Sequence, residues 1–455
     1  MVVKNVNVPI LPRVEGEGAL ELFIEDENIK NIKLRIYEPP RFFEKFLENR
    51  NYYDVVDVVA RICGICPVAY QMSAVHALEK ALNIRPIPWV REMRRLFYCG
   101  EWIESHSLHI HFLAAPDFLG LGNALEMASG KYQKEVKRGI KIQNLGNNIV
   151  RMFGGRSVHP VGACVGGFFY APSISEIKNL LQQLYDIEEE ARDLIKWVST
   201  LPLPIMPSND DIIYVSLSHP QEYPFNEGKI ISNKGLNIDL EEYEKYFKEG
   251  QREHTTALYS YLQGKAYLVG PLARLNNNFK LLPPKVLKII DEIGLALPSN
   301  NMFHSIIARS IEIYYSILEA ISILEHYQMP DSPKMLNLQN IFPLKSTSTG
   351  YGCTEAPRGL LWHRYQLDKN GIITFARIVP PTSQNQARIE EDLNTSLINF
   401  GLDRKEEEIR LMAEMIIRNY DPCISCSVHL LDIHKNKALV KQKSRFTCSN
   451  LSSKF

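Results

Sequence analysis

Three features of the 455-residue sequence predict an α+β fold, mainly α, with antiparallel sheets at its periphery. The first forty residues alternate apolar and polar in ALELFIEDENIKNIKLRIYE, the period-two pattern of half-buried strands, and the DEN between the two runs marks a hairpin turn. From residue 53 the period becomes helical, over 53–82, 89–113, 135–152, 173–199, 302–326 and 406–418. No internal repeat, low-complexity tract or linker rich in glycine, serine or proline interrupts the chain, so it reads as one interlocked unit rather than a string of domains.

Each element has a local reason. Pro67 follows Cys66 directly, and proline suits the first turn of a helix, so the first cysteine pair sits at a helix start. Unpaired amides and the positive end of the helix dipole there favour thiolate over thiol. The acidic and basic runs IEEEARD and RKEEEIR fall inside helical patterns and read as solvated helix faces. Between the helices, DIIYVSLSHP and KAYLVGPLARL read as strand-like or irregular pieces, and LLWHRYQLDKNGIITFARIVPPT reads as a hairpin turning at DKNG.

Composition excludes several classes of function. With 52 basic against 52 acidic side chains there is no charge excess to draw nucleic acid. No apolar run approaches the ~20 residues that span a bilayer, and the N-terminal residues lack the pattern of an export signal, so a cytoplasmic protein without a membrane partner is expected. Eight cysteines are too sparse for a disulfide scaffold. Cys99, Cys164 and Cys353 read as small buried side chains.

Four of the eight form two CxxC pairs, Cys63/Cys66 in RICGICPVAY and Cys423/Cys426 in DPCISCSVH. Each pair sets its sulfurs close enough to share a metal, and together they supply a four-sulfur cage suited to zinc, iron or nickel. Spacing alone leaves a structural zinc clamp and a catalytic or redox metal both open. Against the clamp, a chain with this much core needs no zinc staple to fold, and the pairs lie in apolar helical surroundings.

Taken with these pairs, RVEGEG at 13–18, GGRSVHPVGACVGG at 154–167 and TEAPRG at 354–359 complete an ordered series. The series resembles the large, catalytic subunit of nickel-iron hydrogenases, and ESHSLHIHFLAAPDF with DPCISCSVH resembles the soluble branch, whose members are sulfhydrogenases and enzymes linked to nicotinamide, deazaflavin or heterodisulfide reductase. The resemblance implies long central helices, a domain over 1–429, and reversible heterolytic cleavage of dihydrogen to two protons and two electrons. The complex I subunit of related fold has lost the cysteines that this chain retains. A zinc-clamped interaction protein and that non-catalytic quinone-module subunit are the two alternatives.

The resemblance also implies roles by motif position. Cys63 and Cys423 would be terminal nickel ligands, and Cys66 and Cys426 would bridge nickel to an iron carrying carbon monoxide and cyanide. Cys423 would accept the proton and Glu15 relay it, while Arg358 would stand over the metals, held by Asp421. A magnesium-type ion, or iron, would take Glu44, a backbone carbonyl near Arg377, and His429. His159 would support the site. His106, His109 and His111 in SHSLHIH read as hydrogen-bonded helix histidines rather than ligands.

Three departures from membrane-bound relatives concern groups around the ligands: Tyr70 where a histidine is common, Pro381 followed by Thr382 where a serine is common, and Ser105 where aspartate is common. Residues 430–455 would be an extension removed by a maturation endopeptidase. No cysteine set remains for an iron-sulfur cluster, and no phosphate-binding glycine loop or flavin fingerprint is present. Electrons would therefore leave through an iron-sulfur small subunit to further subunits of nicotinamide or flavin type.

Overall fold

The computed structural model describes residues 3–206, 210–335 and 341–428. The alternating N-terminal run forms strands β2 (Gly18–Glu25) and β3 (Asn28–Ile36), and β1 (Val3–Val8) adds a third strand in the order β1-β2-β3. Asp26 and Glu27 both take positive φ at the hairpin turn, the conformation whose twist matches paired strands.

The helical run at 53–82 is two helices, α1 (Tyr52–Ala60) and α2 (Pro67–Leu82), with the first cysteine pair in the break between them and Pro67 in the first turn of α2. Then come α3 (Pro88–Leu108), which passes into a π-helical turn at His109–Ala114, α4 (Gln133–Gly154) and α5 (Ile174–Ser199). Ser173 caps α5 with a reciprocal bond to Glu176. Residues 211–220 contribute strand β4 (Val215–Ser218), which pairs with β5 (Lys229–Ser232).

The KAYLVGPLARL piece is only half extended. Leu268 bridges to Tyr214, but Gly270 and Pro271 then open helix α6 (Pro271–Asn278), because proline supplies a ready first helical turn. Helix α7 (Ser305–Glu325) runs through the interior, against α3, α5 and α6.

The DKNG hairpin is strands β6 (Gly359–Leu367) and β7 (Ile373–Val379), its turn braced by Asp368 Oδ1 accepting from Asn370 N at 2.8 Å and Ile372 N at 2.9 Å. Ser348–Ala356 adds a third, outer strand to this sheet. The hairpin reading stopped at 382, yet α8 (Pro381–Phe400) begins there, followed by α9 (Glu406–Asn419). Helix α8 was not legible because its buried face is largely polar.

The main hydrophobic core draws on residues from Val6 to Cys426 and includes all four of these paired cysteines. Helix α2 lies so close to the Ser348–Ala356 strand that a Cβ on Gly352 would come within 2.1 Å of the Ser73 carbonyl oxygen. We therefore expect Gly352→Ala to destabilise the protein by about 2 kcal/mol or more. Gly250→Ala, with no atom near its would-be Cβ, should change stability by less than about 0.5 kcal/mol in the same urea titration.

Candidate metal centre

The two ends of the chain meet at the cysteines. Ile424 N donates to the Glu15 carbonyl at 2.9 Å, a parallel bridge that aligns Glu15 with Cys423. Close approach is possible because Gly16, at φ +88°, has no side chain; a Cβ there would lie 2.8 Å from that of Ile424. Asp117 fastens the same junction from the side. It accepts from Arg418 Nε at 2.7 Å and Arg418 Nη2 at 2.9 Å, and also pairs with Arg13, two residues before Glu15.

Arg41 joins the two cysteine segments directly, donating from Nη2 to the Ile62 carbonyl at 2.6 Å and to the Ser425 carbonyl. With both segments tied, the four sulfur atoms lie within 4.8 Å of one another, all buried. Cys63 Sγ is 2.7 Å from Cys66 Sγ and 3.5 Å from Cys423 Sγ, while Cys66 Sγ is 3.9 Å from Cys426 Sγ. Cys423 and Cys426 are joined as a disulfide; as metal ligands both would be thiolates.

Burial pushes the Cys66 thiol up, and the adjacent Cys63 adds to the effect. Burial also acts on Cys63, but hydrogen bonding to Cys66 and the positive charge of Arg358 outweigh it and leave Cys63 the more acidic of the two.

Arg358 and Asp421 form a buried pair. Arg358 Nε donates to the Asp421 carbonyl at 2.6 Å and Nη2 to Asp421 Oδ1 at 3.0 Å. Arg358 Nη1 and Asp421 Oδ2 have no protein partner among the described residues. Although burial disfavours its charge, Asp421 and the cysteine sulfurs hold the guanidinium protonated. Glu15 is held by Ser425, whose hydroxyl donates to Oε1 and whose amide donates to Oε2 at 3.2 Å. Thr382, not Pro381, reaches the cage: its Oγ1 accepts from Cys423 N at 3.0 Å.

The proposed second ion site is half visible. Glu44 is buried, Oε1 accepts from Ile378 N at 2.6 Å, and Oε2 has no partner among the described residues. Burial pushes this carboxyl up to about 8, against the attraction of Arg377. An orphaned buried carboxylate oxygen fits a hard cation.

The Arg377 carbonyl does not fit as its companion, which corrects the expectation. The Arg377–Ile378 peptide is trans, so its C=O points away from the N–H that meets Glu44. The next carbonyl on the Glu44 side belongs to Ile378. The Arg377 side chain pairs with Glu249 instead, at 2.6 Å. His429 lies outside the described residues.

The three helix histidines are hydrogen-bonded apart from one another: His106 with Glu312 at 2.9 Å, His109 donating to the Arg418 carbonyl at 2.8 Å, and His111 donating to the Ser107 carbonyl at 3.0 Å. His159 donates from Nδ1 to the Ala60 carbonyl at 2.7 Å and so steadies the end of α1 just before Cys63. Tyr70 and Ser105 are both buried on the helices around the cage.

Sequence reasoning missed two carboxyls on α3. Glu101 accepts from Val68 N at 2.6 Å and Ala69 N at 3.1 Å, capping the helix start that was expected to present free amides to Cys66. Burial raises its affinity for a proton well above that of an ordinary carboxyl, and Glu104 and Cys63 add to this. Burial likewise raises Glu104, against the charge of Arg358. No local pattern marks Glu101, since the amides it serves lie more than thirty positions away.

A family model described as nickel-dependent hydrogenase matches residues 41–142 and 236–429. Sulfhydrogenase 1 subunit alpha of Pyrococcus furiosus is 31% identical over 94% of this chain and 99% of its own length. Sulfhydrogenase 2 subunit alpha of the same organism is 32% identical over 92% and 98%. Among solved structures, an NAD+-reducing [NiFe]-hydrogenase in its H2-reduced state superposes with a TM-score of 0.85 at 25% identity, over 94% of this chain and 99% of that one.

The Glu101 cap can be tested on stability. Glu101→Ala leaves two buried amides without acceptors and should cost about 2–3 kcal/mol, whereas Glu101→Gln keeps an acceptor oxygen and should cost under about 1.5 kcal/mol in chemical unfolding.

Proposed function

Because the chain belongs to the nickel-dependent hydrogenase family, oxidoreductases acting on dihydrogen, we propose that it is the catalytic subunit of a cytoplasmic hydrogenase that passes electrons to an iron-sulfur small subunit. The observation that carries this reading is the cage itself: four buried sulfurs from opposite ends of the chain, with a buried arginine, Arg358, whose Nη1 has no protein partner among the described residues. Such a donor set fits a nickel-iron centre: Cys63, Cys66, Cys423 and Cys426 would hold the nickel, Cys66 and Cys426 would also hold the iron, and the iron would carry carbon monoxide and cyanide. When bound, that centre supplies heterolytic cleavage of dihydrogen.

The chain's own groups supply the rest. Cys423 is the base, and Glu15, aligned with it across the parallel bridge, takes the proton onward. Ser425 sets the orientation of the Glu15 carboxylate. Arg358, anchored on Asp421, keeps a positive charge and a free N–H at the cage, which orients small ligands there. Glu44 and the Ile378 carbonyl, with His429, are the proposed holders of a magnesium-type ion or iron.

An exit for electrons is supported by the surface along α1, the helix that precedes the first cysteine pair. Phe46, Tyr53, Val161 and Phe169 are exposed and line one cleft of about 840 Å³. A patch of this kind suits a protein partner, here the iron-sulfur subunit. The NAD+-reducing neighbour supports a nicotinamide acceptor carried by further subunits. No helix among the described residues is long and apolar enough to cross a membrane. Residues 430–455 are proposed to be a maturation peptide removed by an endopeptidase after metal insertion.

The protein purified from its host with its accompanying subunits should hold about one nickel per chain, with iron in excess. Zinc without nickel would favour the structural clamp. In that preparation we expect Cys423→Ser to abolish hydrogen-deuterium exchange, and Glu15→Gln to slow it at least about tenfold with nickel retained.

A further inference from the structure

The turn that carries Arg358 is held from behind by a second buried arginine. Arg274, on α6, donates from Nη1 to the Ala356 carbonyl at 2.8 Å and from Nη2 to the Pro357 carbonyl at 3.1 Å, the two peptides immediately before Arg358. Its own direction is fixed by two carboxylates. Nε and Nη2 each donate to Glu312 at 2.8 Å, and Nη1 donates to Glu355 at 3.0 Å. The ring of Trp102 covers the guanidinium at 4.3 Å, and the same indole donates to the Glu355 carbonyl at 2.9 Å. Arg274, Glu312 and Glu355 are wholly inaccessible to solvent.

A second contact comes from the same helix. Gly270, the residue that opens α6 and lies one turn before Arg274, sits at φ +116°, and a Cβ on it would come within 2.9 Å of the Arg358 carbonyl oxygen. Helix α6 thus touches three consecutive peptides, two through Arg274 and the third through its own N-terminal backbone. At its other end Arg358 is gripped by Asp421. With its backbone held by α6 and its guanidinium by Asp421, Arg358 has little freedom in where Nη1 points.

We propose that Arg274 is a positioning residue for Arg358: by clamping the Ala356 and Pro357 carbonyls it sets the direction from which the Arg358 guanidinium faces the four-sulfur cage. The inference deepens the hydrogenase reading and rests on the role given there to Arg358. Its rival is a purely structural role, in which Arg274 only neutralises Glu312 and Glu355. Lysine separates the two, because it keeps the positive charge but cannot hold two carbonyls and two carboxylates in one plane.

The test uses the nickel-loaded enzyme with its accompanying subunits and compares the parent, Arg274→Lys, Arg358→Lys and the double variant. We expect Arg274→Lys to retain nickel and to slow hydrogen-deuterium exchange about tenfold, as a displaced catalytic group does. In the Arg358→Lys background the same change should cost less than about twofold, because the group it positions is already gone. The infrared bands of the diatomic ligands on iron should shift in the same direction in both single variants. Equal fold-losses in the two backgrounds, or unchanged exchange and bands in Arg274→Lys, overturn the proposal.

If Arg358→Lys exchanges at the parental rate, the role of Arg358 falls, and this inference with it. Should Arg274→Lys not accumulate, Arg274→Gln combined with Glu312→Gln removes both buried charges and takes the same test. If that protein also fails to load nickel, the role is structural and the proposal is overturned.

Discussion

The parallel bridge between Glu15 and Cys423 is the contact on which the site depends, because it joins parts of the chain separated by almost its whole length. Closing a loop of that size costs conformational entropy that grows only slowly with length, so a moderate number of well-made contacts suffices to hold it. The structure supplies them in layers. Asp117 receives both Arg13 and Arg418, one from each side of the junction, and Arg41 reaches the carbonyls that precede Cys63 and Cys426. The cage geometry is thereby set by these contacts as well as by the sulfurs. Four sulfurs from two distant segments become one site because Arg41 binds both segments.

Buried charge is the second constraint. Arg274, Glu312 and Glu355 have no access to water, and a lone ion there would cost several kcal/mol. Arg274 holds Glu312 ionised, down at about 2 despite its burial, while burial pushes Glu355 up to about 7. Near neutrality the cluster therefore carries one firm ion pair and one carboxyl poised between its two forms. His106, pushed down to about 4 by burial, is a neutral donor to Glu312 and adds no charge. Buried ion pairs are in general weak contributors to stability compared with apolar packing of the same volume. What the ions add is a fixed direction for the backbone before Arg358.

Much of this was legible because it is periodic or local. The N-terminal hairpin, the helix opening at Pro67 and the DKNG turn each follow from a few adjacent residues. Helix α8 was not, because its inward face carries Gln384, Asn385 and Gln386, which bond to the carbonyls of Leu360, Val269 and Leu34. A polar face satisfied by distant backbone has no apolar period to read. The same holds for Glu101, whose partners are two amides of another helix, and for Arg274, whose hydrogen-bond partners come from two separate segments. Motif resemblance pointed to the four cysteines that the fold brings together, whereas the direction of the Arg377 carbonyl, away from Glu44, could be assigned only once its neighbour's N–H was known.

The cage also sets the order in which its own chemistry can arise. Four thiolates within 4.8 Å would repel strongly in a buried site, and Arg358 brings one positive charge to face them. The sulfurs are therefore stable as thiols or as a disulfide, and full deprotonation needs a cation bound among them. Metal entry into the all-thiol form must then release protons, and the group placed beside Cys423 to receive them is Glu15. The carboxylate proposed to relay protons in turnover is thus also in position to drain the cage as it loads. Rigidity serves both events, since the backbone ties that align Glu15 with Cys423 are made by main-chain atoms and do not change with the charge on sulfur.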